Sequence, residues 1–322
     1  MKTEIVKLLM KKEEYVSGED LSAELGVSRA AVWKHIKAIQ QDGGVIDAVT
    51  NKGYKLLKLP DLLKSAYVNA YTKEPRTIEW YAQTDSTNTT AKNLARGGAV
   101  DKTVVVTEYQ TAGKGRLGRG WLSKKGEAIM LSCVLRPDIS PADAPPITFA
   151  VALGVAAAIK QECGIEAKIK WPNDVVYGQK KLCGILTELS GDFDKVEYIV
   201  CGMGINVNQT VFEEEVASRA VSLKMLSGKT INRVHLCAKM IDYVFDYCDK
   251  YIKEGIQSIK DEYCKKSVII NEEVAVICAE QKICGVCCGF GDAGELLLRT
   301  DNGEIKTFHA GEVSVRSAKT YQ

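Results

Sequence analysis

Apolar residues in the first 60 positions recur at first with the spacing of a helix and then with the alternation of a strand. The helical part predicts three short helices, whose buried faces are marked by Ile5, Leu8 and Leu9, by Leu21 and Leu25, and by Val32, Ile36 and Ile39. Ser17 and Ser28 are suited to cap the second and third helices, and Gly26 is suited to end the second. The turn between these two helices is as short as a helix-turn-helix requires.

The alternating part, from Val45 to Leu57, is interrupted by Asn51-Lys52-Gly53, which predicts a hairpin with a basic tip. Residues 1–60 are therefore predicted to form a winged helix-turn-helix. Because the third helix buries one side, its other side presents small and basic residues that suit a DNA groove. The predicted DNA-binding residues are Ser28, Arg29, Ala30, Trp33, Lys34, Lys37 and, in the wing, Lys52. The alternative is a small helical interaction module with a charged, solvated face.

The pattern changes three times farther along the chain. Two prolines bracket a predicted connector at 61–76. From 77 to 266, strand patterns interleave with helical ones, which predicts a sheet with helices packed against it and leaves the strand order open. From 267 to 322, short alternating runs separated by glycine turns predict a small β-domain. The predicted fold class is α+β.

Composition constrains the class of protein and its location. The net charge of +2 over 322 residues excludes a protein that coats a polyanion, so a DNA contact must belong to one domain. No apolar run is expected to reach the ~18 residues of a membrane span, and 11 cysteines without a regular framework favour reduced thiols. Both features predict a cytoplasmic protein without membrane contact. Cys284, Cys287 and Cys288 lack a second Cys pair or a nearby His, so buried strand cysteines are predicted there and no metal site.

The most informative stretch is the loop from Gln110 to Trp121, QTAGKGRLGRGW, between two predicted strands. Its glycines let main-chain N–H groups approach a phosphate, and its cations neutralise charge on a pyrophosphate or phosphoryl ester. The loop fits neither the P-loop nor the dinucleotide-binding signature. Taken alone, it is compatible with an anion-binding loop that closes over a ligand and with a mobile surface hairpin.

Two further motifs put polar groups at the ends of predicted elements. KWPND, Lys170 to Asp174, ends a strand, so rigid backbone holds its lysine where it can draw a carboxylate and a phosphate together. The alternative is a surface lysine before a Pro-Asn turn. TDSTN, Thr84 to Asn88, precedes a helix that it could simply cap. Its hydroxyls and amide also suit the ureido group of a small ligand, which offers donors and an acceptor.

These three motifs, in this order, together with KKLCGILTEL (Lys180 to Leu189) and GMGINVN (Gly202 to Asn208), resemble the biotin protein ligase family. The resemblance covers most of the chain, and both terminal domains are similar to those of its bifunctional ligase-repressor branch. It implies a central mixed-sheet ligase domain of the class II aminoacyl-tRNA synthetase-like type and a C-terminal SH3-like β-barrel. The implied activity is formation of biotinyl-5′-AMP from biotin and ATP, followed by biotin transfer to a lysine of a carrier domain.

The resemblance also implies roles for individual residues. Biotin contacts are implied for Ser86, Thr87, Asn88, Gln110, Lys114, Gly115, Arg116 and Lys170, among which Arg116 and Lys170 matter most for catalysis. Contacts to ATP or the adenylate are implied for Gly113, Lys114, Arg116, Arg119, Trp121, Asn173, Lys181 and Asn206. The family loop usually carries Arg where this chain has Lys114 and commonly Arg where it has Leu117. Lys114 keeps the charge but loses the planar fork.

Cofactors and partners follow from the same resemblance. ATP with Mg²⁺ is the implied co-substrate and biotin the substrate, with no permanently bound cofactor. The implied partners are a biotin carboxyl carrier domain, operator DNA and, when adenylate is bound, a second copy of the chain. Two other functions stay open: a lipoate ligase, which the winged domain and the form of the loop disfavour, and a biotin-sensing regulator without turnover, which intact Lys170 and Arg116 disfavour.

Overall fold

The computed structural model describes residues 1–12, 14–278, 281–310 and 313–317. The N-terminal elements are α1 (Lys2–Lys11), α2 (Gly18–Leu25), α3 (Arg29–Gln41), β1 (Val45–Val49) and β2 (Gly53–Lys58), the two strands forming an antiparallel hairpin. The predicted caps are confirmed. Ser17 Oγ accepts a hydrogen bond from Asp20 N at 2.9 Å, Ser28 Oγ accepts one from Ala31 N at 3.2 Å, and Gly26 ends α2 in a left-handed conformation. The winged helix-turn-helix is thus built by local signals.

A seven-stranded mixed sheet forms the central domain. After a short helix in the connector, α4 (Ser65–Val68), the elements are β3 (Ile78–Tyr81), α5 (Thr87–Arg96), β4 (Val104–Thr107), β5 (Ala128–Leu135), α6 (Ile147–Cys163), β6 (Lys168–Lys170), β7 (Asp174–Tyr177), β8 (Lys180–Gly191), β9 (Val196–Asn206), α7 (Glu214–Ala217), α8 (Leu223–Ser227), α9 (Arg233–Glu254) and α10 (Gln257–Lys266). The strand order is β3-β4-β5-β9-β8-β7-β6; β3 and β4 are parallel and the other neighbours antiparallel. The predicted interleaving of strands and helices is confirmed, and the structure supplies the strand order that the sequence left open.

The two faces of the sheet have different neighbours because side chains alternate along each strand. On one face, α6 and α9 pack together over the main apolar core. On the other face, α5 covers an apolar patch that includes Val105, Val134 and Val200. The same alternation puts Ser132, two residues before Val134, and Gly202, two residues after Val200, on the α5 face. The candidate site lies there, next to the start of α5.

The C-terminal domain is a five-stranded antiparallel sheet of β10 (Glu273–Cys278), β11 (Gln281–Phe290), β12 (Leu296–Arg299), β13 (Ile305–Phe308) and β14 (Val313–Ser317), in the order β13-β12-β11-β10-β14. Its contact with the central domain is aromatic. Phe149 and Tyr263 stack with ring centroids 3.6 Å apart, and Phe290 meets both rings edge-on. Trp171 Nε1 also donates to the carbonyl of Gly294 at 3.0 Å. This domain is therefore held against the strand end that carries KWPND.

Some predictions about the fold stay predictions, and two were wrong. The predicted C-terminal domain, 267–322, includes 279–280, 311–312 and 318–322, which lie outside the described residues. The domain boundaries, the SH3-like closure and the synthetase-like type stay predictions.

The segment Pro141–Cys163 is apolar and long enough to cross a membrane by composition, contrary to expectation, but it is 72% buried inside the protein because α6 is a core helix. Cys287 is buried as predicted, whereas Cys284 and Cys288 are exposed because they fall on the other face of β11. Among the described residues, no group of three or more His, Cys, Asp or Glu is arranged to hold a metal ion.

A carboxylate at the end of α3 ties the winged domain to the connector. Asp42 accepts hydrogen bonds from Lys2 Nζ at 2.8 Å, Lys64 Nζ at 2.6 Å and the Tyr67 hydroxyl at 2.5 Å. Burial alone would raise the pKa of Asp42, but these three donors outweigh it and hold the pKa at about 2. Asp42 is therefore charged at neutral pH, and it fixes the third helix relative to the connector.

A buried ion pair then joins the connector to the sheet. Arg233, at the start of α9, is 1% exposed and donates to Glu108 Oε2, to the Ala128 carbonyl and to the Asp61 carboxylate, each at 3.0 Å. Glu108 is also buried and accepts from Leu63 N at 2.7 Å. Glu108 directly precedes the segment 109–127, and Ala128 directly follows it. Arg233 therefore holds both ends of this loop segment and, through Asp61, the connector.

Removing one charge from this pair is expected to destabilise the protein. In Glu108→Gln, the half-exposed Asp61 is the one carboxylate among the described residues left to balance the buried charge of Arg233, so we expect a loss of about 3 kcal/mol, near the lower end for breaking a buried pair. Urea denaturation measures this free energy of unfolding. The control is Lys160→Ala in the pair Lys160–Glu166, whose side chains are more than half exposed, and we expect no measurable change there. Equal stability of the two variants would contradict the prediction.

Candidate active site

A cavity of about 160 Å³ opens on the α5 face of the sheet. Glycines form its floor: Gly184 of β8 and Gly202 and Gly204 of β9. A Cβ atom at Gly204 would lie 2.5 Å from the Trp121 indole, and one at Gly202 would overlap the Asn88 amide. Only glycine therefore allows Trp121 and Asn88 to approach the sheet this closely.

One wall of the cavity is the start of α5. Ser86, Thr87 and Asn88 are each less than 5% exposed, and all three line the cavity. Thr87 donates from its main-chain N–H to Gln110 Oε1 at 2.7 Å and from its hydroxyl at 3.1 Å. Ser86 is the N-cap residue of α5, but its side chain makes no capping hydrogen bond. The alternative that this motif only caps the helix is therefore wrong for the Ser86 hydroxyl.

A second layer of side chains orients this wall. The Ser132 hydroxyl is fully buried and lies 2.8 Å from Thr87 Oγ1 and 2.6 Å from Asn88 Oδ1. Asn88 Nδ2 donates to Glu188 Oε2 at 2.8 Å, and Lys92 Nζ pairs with the same carboxylate at 2.6 Å. Burial raises the pKa of Glu188, but the hydrogen bonds from Lys92 and Asn88 outweigh it and the net pKa is lowered. Neither Ser132 nor Glu188 was predicted from sequence, because strand pairing alone brings them to α5.

The glycine-rich loop folds back over the cavity as a narrow turn. Its two arms are joined by hydrogen bonds from Gly115 N to the Arg119 carbonyl at 2.7 Å and from Trp121 N to the Gly113 carbonyl at 2.9 Å. Lys114, one of the two departures from the family loop, reaches the Thr89 hydroxyl at 3.1 Å. The loop therefore lies against the start of α5.

Arg116 connects this loop to two other parts of the chain. Its guanidinium donates to Asn173 Oδ1 at 3.2 Å, within KWPND, and to the carbonyl of Ala310 in the C-terminal domain. Burial lowers the pKa of Arg116 and the charge of Arg119 lowers it further, while Asp174 opposes both. A guanidinium nevertheless stays protonated at physiological pH. Arg116 thus brings a fixed positive charge to the cavity.

The KWPND motif forms the opposite wall. Lys170 is the last residue of β6 and lines the cavity, Trp171 is buried, and a cis bond joins Trp171 to Pro172. Asn173 Nδ2 donates to the Ile185 carbonyl at 2.8 Å, which ties the turn to β8. The predicted strand-terminal position of Lys170 is confirmed, and it faces the same space as Arg116.

A further cation and an aromatic ring lie beside this wall. Lys181 Nζ pairs with Asp174 Oδ1 at 2.6 Å and lies 5.7 Å from the centre of the Trp121 ring. The Trp121 Nε1 is buried and has no hydrogen-bond partner among the described residues. The ring and Lys181 are therefore neighbours on the glycine floor.

The structure brings together almost all of the predicted ligand-binding residues. Every predicted biotin residue lines the cavity, as do Arg119, Trp121, Asn173 and Lys181 from the predicted adenylate set. Gly113 instead lines an adjoining cavity of about 860 Å³ that shares the loop. Asn206 lines neither cavity; it is buried and donates to the Lys181 carbonyl at 3.3 Å. Asp174 and the floor glycines line the cavity but were not predicted, although glycines at alternate positions of a strand were a usable signal.

The predicted DNA-binding residues also share one surface. Val32, Ile36 and Ile39 of α3 are buried, and all six predicted residues of this helix and its cap are exposed: Ser28, Arg29, Ala30, Trp33, Lys34 and Lys37. Lys52, at the tip of the hairpin, is exposed as well. The predicted division of α3 into a buried and an exposed face is confirmed.

Comparison with known proteins agrees with this arrangement. Three family models match the chain: an HTH domain at residues 2–55, the biotin/lipoate A/B protein ligase family at 80–206, and the biotin protein ligase C-terminal domain at 269–316. The bifunctional ligase/repressor BirA of Bacillus subtilis is 34% identical over 94% of this chain and 94% of its own length. The chain belongs to the BirA-type bifunctional ligase/repressor family.

A second relative and a solved structure extend the comparison. BirA of Escherichia coli is 32% identical over 97% of this chain and 96% of its own length. The structure of biotin protein ligase from Aquifex aeolicus in complex with biotin and ATP matches with a TM-score of 0.66 and 30% identity, over 75% of this chain and 99% of that one. The predicted family, and the α+β fold with an N-terminal helix-turn-helix and a C-terminal antiparallel sheet, are therefore confirmed.

Proposed function

We propose that this chain joins biotin to ATP to form biotinyl-5′-AMP, transfers the biotin to a lysine of a biotin carboxyl carrier domain in the cytoplasm, and represses transcription in response to biotin. One observation carries the enzymatic part. Polar groups suited to a ureido ring (Ser86, Thr87 and Asn88) and two cations (Arg116 and Lys170) line one small cavity. A cavity of this kind fits a ligand with a polar ring at one end and a carboxylate at the other.

The first chemical step joins two anions. An oxygen of the biotin carboxylate attacks the α-phosphorus of MgATP, a P–O bond forms, and pyrophosphate leaves with the electrons of the broken bond. Repulsion between carboxylate and phosphate opposes this approach, and Lys170 and Arg116 reduce it because both positive charges face the reacting atoms. The enzyme needs no nucleophile of its own.

The second step is acyl transfer to the acceptor. The lysine amine of the carrier domain attacks the acyl carbon of the mixed anhydride, an amide bond forms, and AMP leaves. Until then the anhydride must be kept from water and from other amines. The loop from Gly113 to Trp121 serves this purpose, since Arg116 fastens it to Asn173 and to the C-terminal domain.

The nucleotide half of the adenylate belongs beside the glycine floor. Trp121 offers an aromatic face for a purine, and Lys181, Asn173 and Arg119 offer donors for phosphate and ribose oxygens. Asn206 acts through the Lys181 carbonyl, to which it donates, rather than by lining the cavity. Gly113 remains a proposed adenylate contact, because a residue without a side chain lets its main chain approach the ligand closely.

One assay separates this proposal from its alternatives. Purified protein, MgATP and labelled biotin are incubated with a carrier domain, with lipoate as a competitor. We expect label on one lysine of the carrier, unaffected by lipoate. Label displaced by lipoate would identify a lipoate ligase, and bound biotin without any transfer would identify a sensor that has lost turnover.

Ser132 is expected to control affinity for biotin through the wall that it supports. Ser132→Ala removes the buried hydroxyl that lies within hydrogen-bond distance of Asn88 Oδ1 and Thr87 Oγ1, and the buried polar atom left without its partner costs about 1–3 kcal/mol. We expect the KM for biotin in pyrophosphate exchange to rise about tenfold, with little change in the KM for ATP. Ser190→Ala, on β8 outside the cavity, is the control and should leave both constants unchanged. An unchanged KM for biotin in Ser132→Ala would remove the positioning role.

For regulation, we propose that the adenylate-bound form dimerises and places two α3 helices on a two-fold operator. The exposed basic surface of α3 and the wing supports DNA binding, and a dimer reads half-sites about one helical turn, or a multiple of it, apart. Biotin with MgATP is therefore expected to tighten operator binding by at least about fivefold, the lower limit of typical coupling between sites. Fluorescence anisotropy with a labelled operator duplex measures it. Equal affinity with and without the two substrates would exclude the coupling.

A further inference from the structure

The third helix exposes an aromatic ring that the fold does not use. Trp33 is 55% exposed, while Val32 and Ile36 on the same helix are fully buried in the domain core. Ala30, three residues earlier and therefore on the same side of the helix, is exposed as well. Together they form an apolar strip on a surface that is otherwise polar. We name Ala30 and Trp33 the apolar strip.

Positive charge surrounds this strip. Arg29, Lys34 and Lys37 are exposed on the same helix, and Lys37 Nζ lies 5.9 Å from the centre of the Trp33 ring. No residue of α3 from Arg29 to Gln41 is acidic. Residues 1–60 carry ten Lys and Arg against eight Asp and Glu, whereas 61–322 carry 33 of each. The whole positive excess of the chain therefore lies in this domain, which favours a polyanion as the partner of this face.

The major groove of DNA combines these two chemistries. Phosphates line its edges and attract cations, and the 5-methyl group of thymine is the apolar group that base pairs present on its floor. A helix in the groove can therefore place an apolar side chain on a thymine methyl while its cations contact the backbone.

We propose that Trp33, with Ala30, reads the 5-methyl group of a thymine in each operator half-site. This inference rests on the proposed DNA-binding function and adds a base preference to it. Lys34 and Lys37 contact phosphates and set the position of the helix, whereas the apolar strip supplies discrimination between thymine and bases that lack the methyl group. Burial of one methyl group corresponds to roughly a fourfold change in affinity.

Deoxyuridine isolates the methyl group experimentally. The full chain, with biotin and MgATP, selects duplexes from a library with a random central segment, and every thymine of the best duplex is replaced in turn by deoxyuridine. We expect one thymine position per half-site at which this replacement weakens binding about fourfold. In Trp33→Ala, the same replacement should have no effect, because the ring that contacts the methyl group is gone.

Lys34→Ala is the matched control from the same exposed face. It should weaken binding to the thymine and deoxyuridine duplexes equally and reduce the dependence on salt, since it loses a phosphate contact. Biotin transfer by Trp33→Ala, measured in parallel, should equal that of the unmodified protein and verifies that its ligase domain folds, and an unchanged far-UV circular dichroism spectrum verifies that the helices of the winged domain form. Trp33→Phe should restore part of the deoxyuridine effect.

Each outcome addresses one level of the proposal. If no duplex is enriched and anisotropy detects no binding, the proposed DNA-binding function fails. If a duplex is selected but deoxyuridine weakens binding at no position, or does so equally in Trp33→Ala, thymine reading by this ring is wrong. If the unmodified protein binds the thymine and deoxyuridine duplexes equally, and Trp33→Ala weakens binding to both by the same factor, the ring contacts the DNA backbone or a protein partner. That result would overturn the inference.

Discussion

Replacing Lys170 with Ala is expected to lower biotin-dependent exchange of pyrophosphate into ATP at least about 100-fold, the loss typical of removing one positioned charge-stabilising donor. Lys170 ends β6 and faces the cavity that also contains Arg116. Without its ammonium group, the biotin carboxylate and the α-phosphate repel each other with only one cation between them. The exchange assay detects adenylate formation without the carrier domain, so it isolates the first step.

Two controls sharpen this test. Lys168→Ala removes a lysine from the same strand that is exposed and does not line the cavity, and we expect full activity. Lys170→Arg keeps the charge in a different shape and should recover part of the exchange. Exchange retained in Lys170→Ala would take this lysine out of its assigned role, whereas equal loss in the Lys168 and Lys170 variants would point to damage to β6.

Replacing Arg116 with Gly is expected to release the reactive adenylate from the site. Arg116 holds the loop to Asn173 and to the carbonyl of Ala310, and glycine makes neither contact. The anhydride then escapes and acylates lysines of any nearby protein. We expect biotin label on bystander proteins, such as serum albumin added to the assay, to rise from background to about the level on the carrier domain. Mass spectrometry of the labelled lysines measures it.

The control separates loop flexibility from the lost charge. Leu117 follows Arg116, is 55% exposed, and has a left-handed backbone conformation with φ of 56°, which glycine adopts without strain. Leu117→Gly therefore loosens the same loop but retains the guanidinium, and it should stay selective for the carrier domain. Unchanged selectivity in Arg116→Gly would argue against the retention role, and indiscriminate labelling by both variants would attribute retention to backbone stiffness.

Local signals in the sequence determined a large part of this protein. The caps Ser17 and Ser28 and the terminator Gly26 are at their predicted places, because capping depends on residues within one helical turn. The exposed face of α3 followed from helical periodicity alone. The motifs containing Arg116 and Lys170 predicted the family, since their order along the chain is itself information.

Other features needed the tertiary structure, because they depend on which strands become neighbours. Ser132 and Glu188 support the wall at Thr87 and Asn88 from strands β5 and β8, 44 and 100 residues beyond Asn88 in the chain. Arg116 reaches the Ala310 carbonyl from 194 positions away. Asn206, predicted to contact the adenylate, lines neither cavity and donates to the Lys181 carbonyl, a placement that the spacing of residues along the chain did not reveal. Periodicity reports which face of an element is buried, but it contains no strand order, and strand order decided which polar groups meet around the ligand.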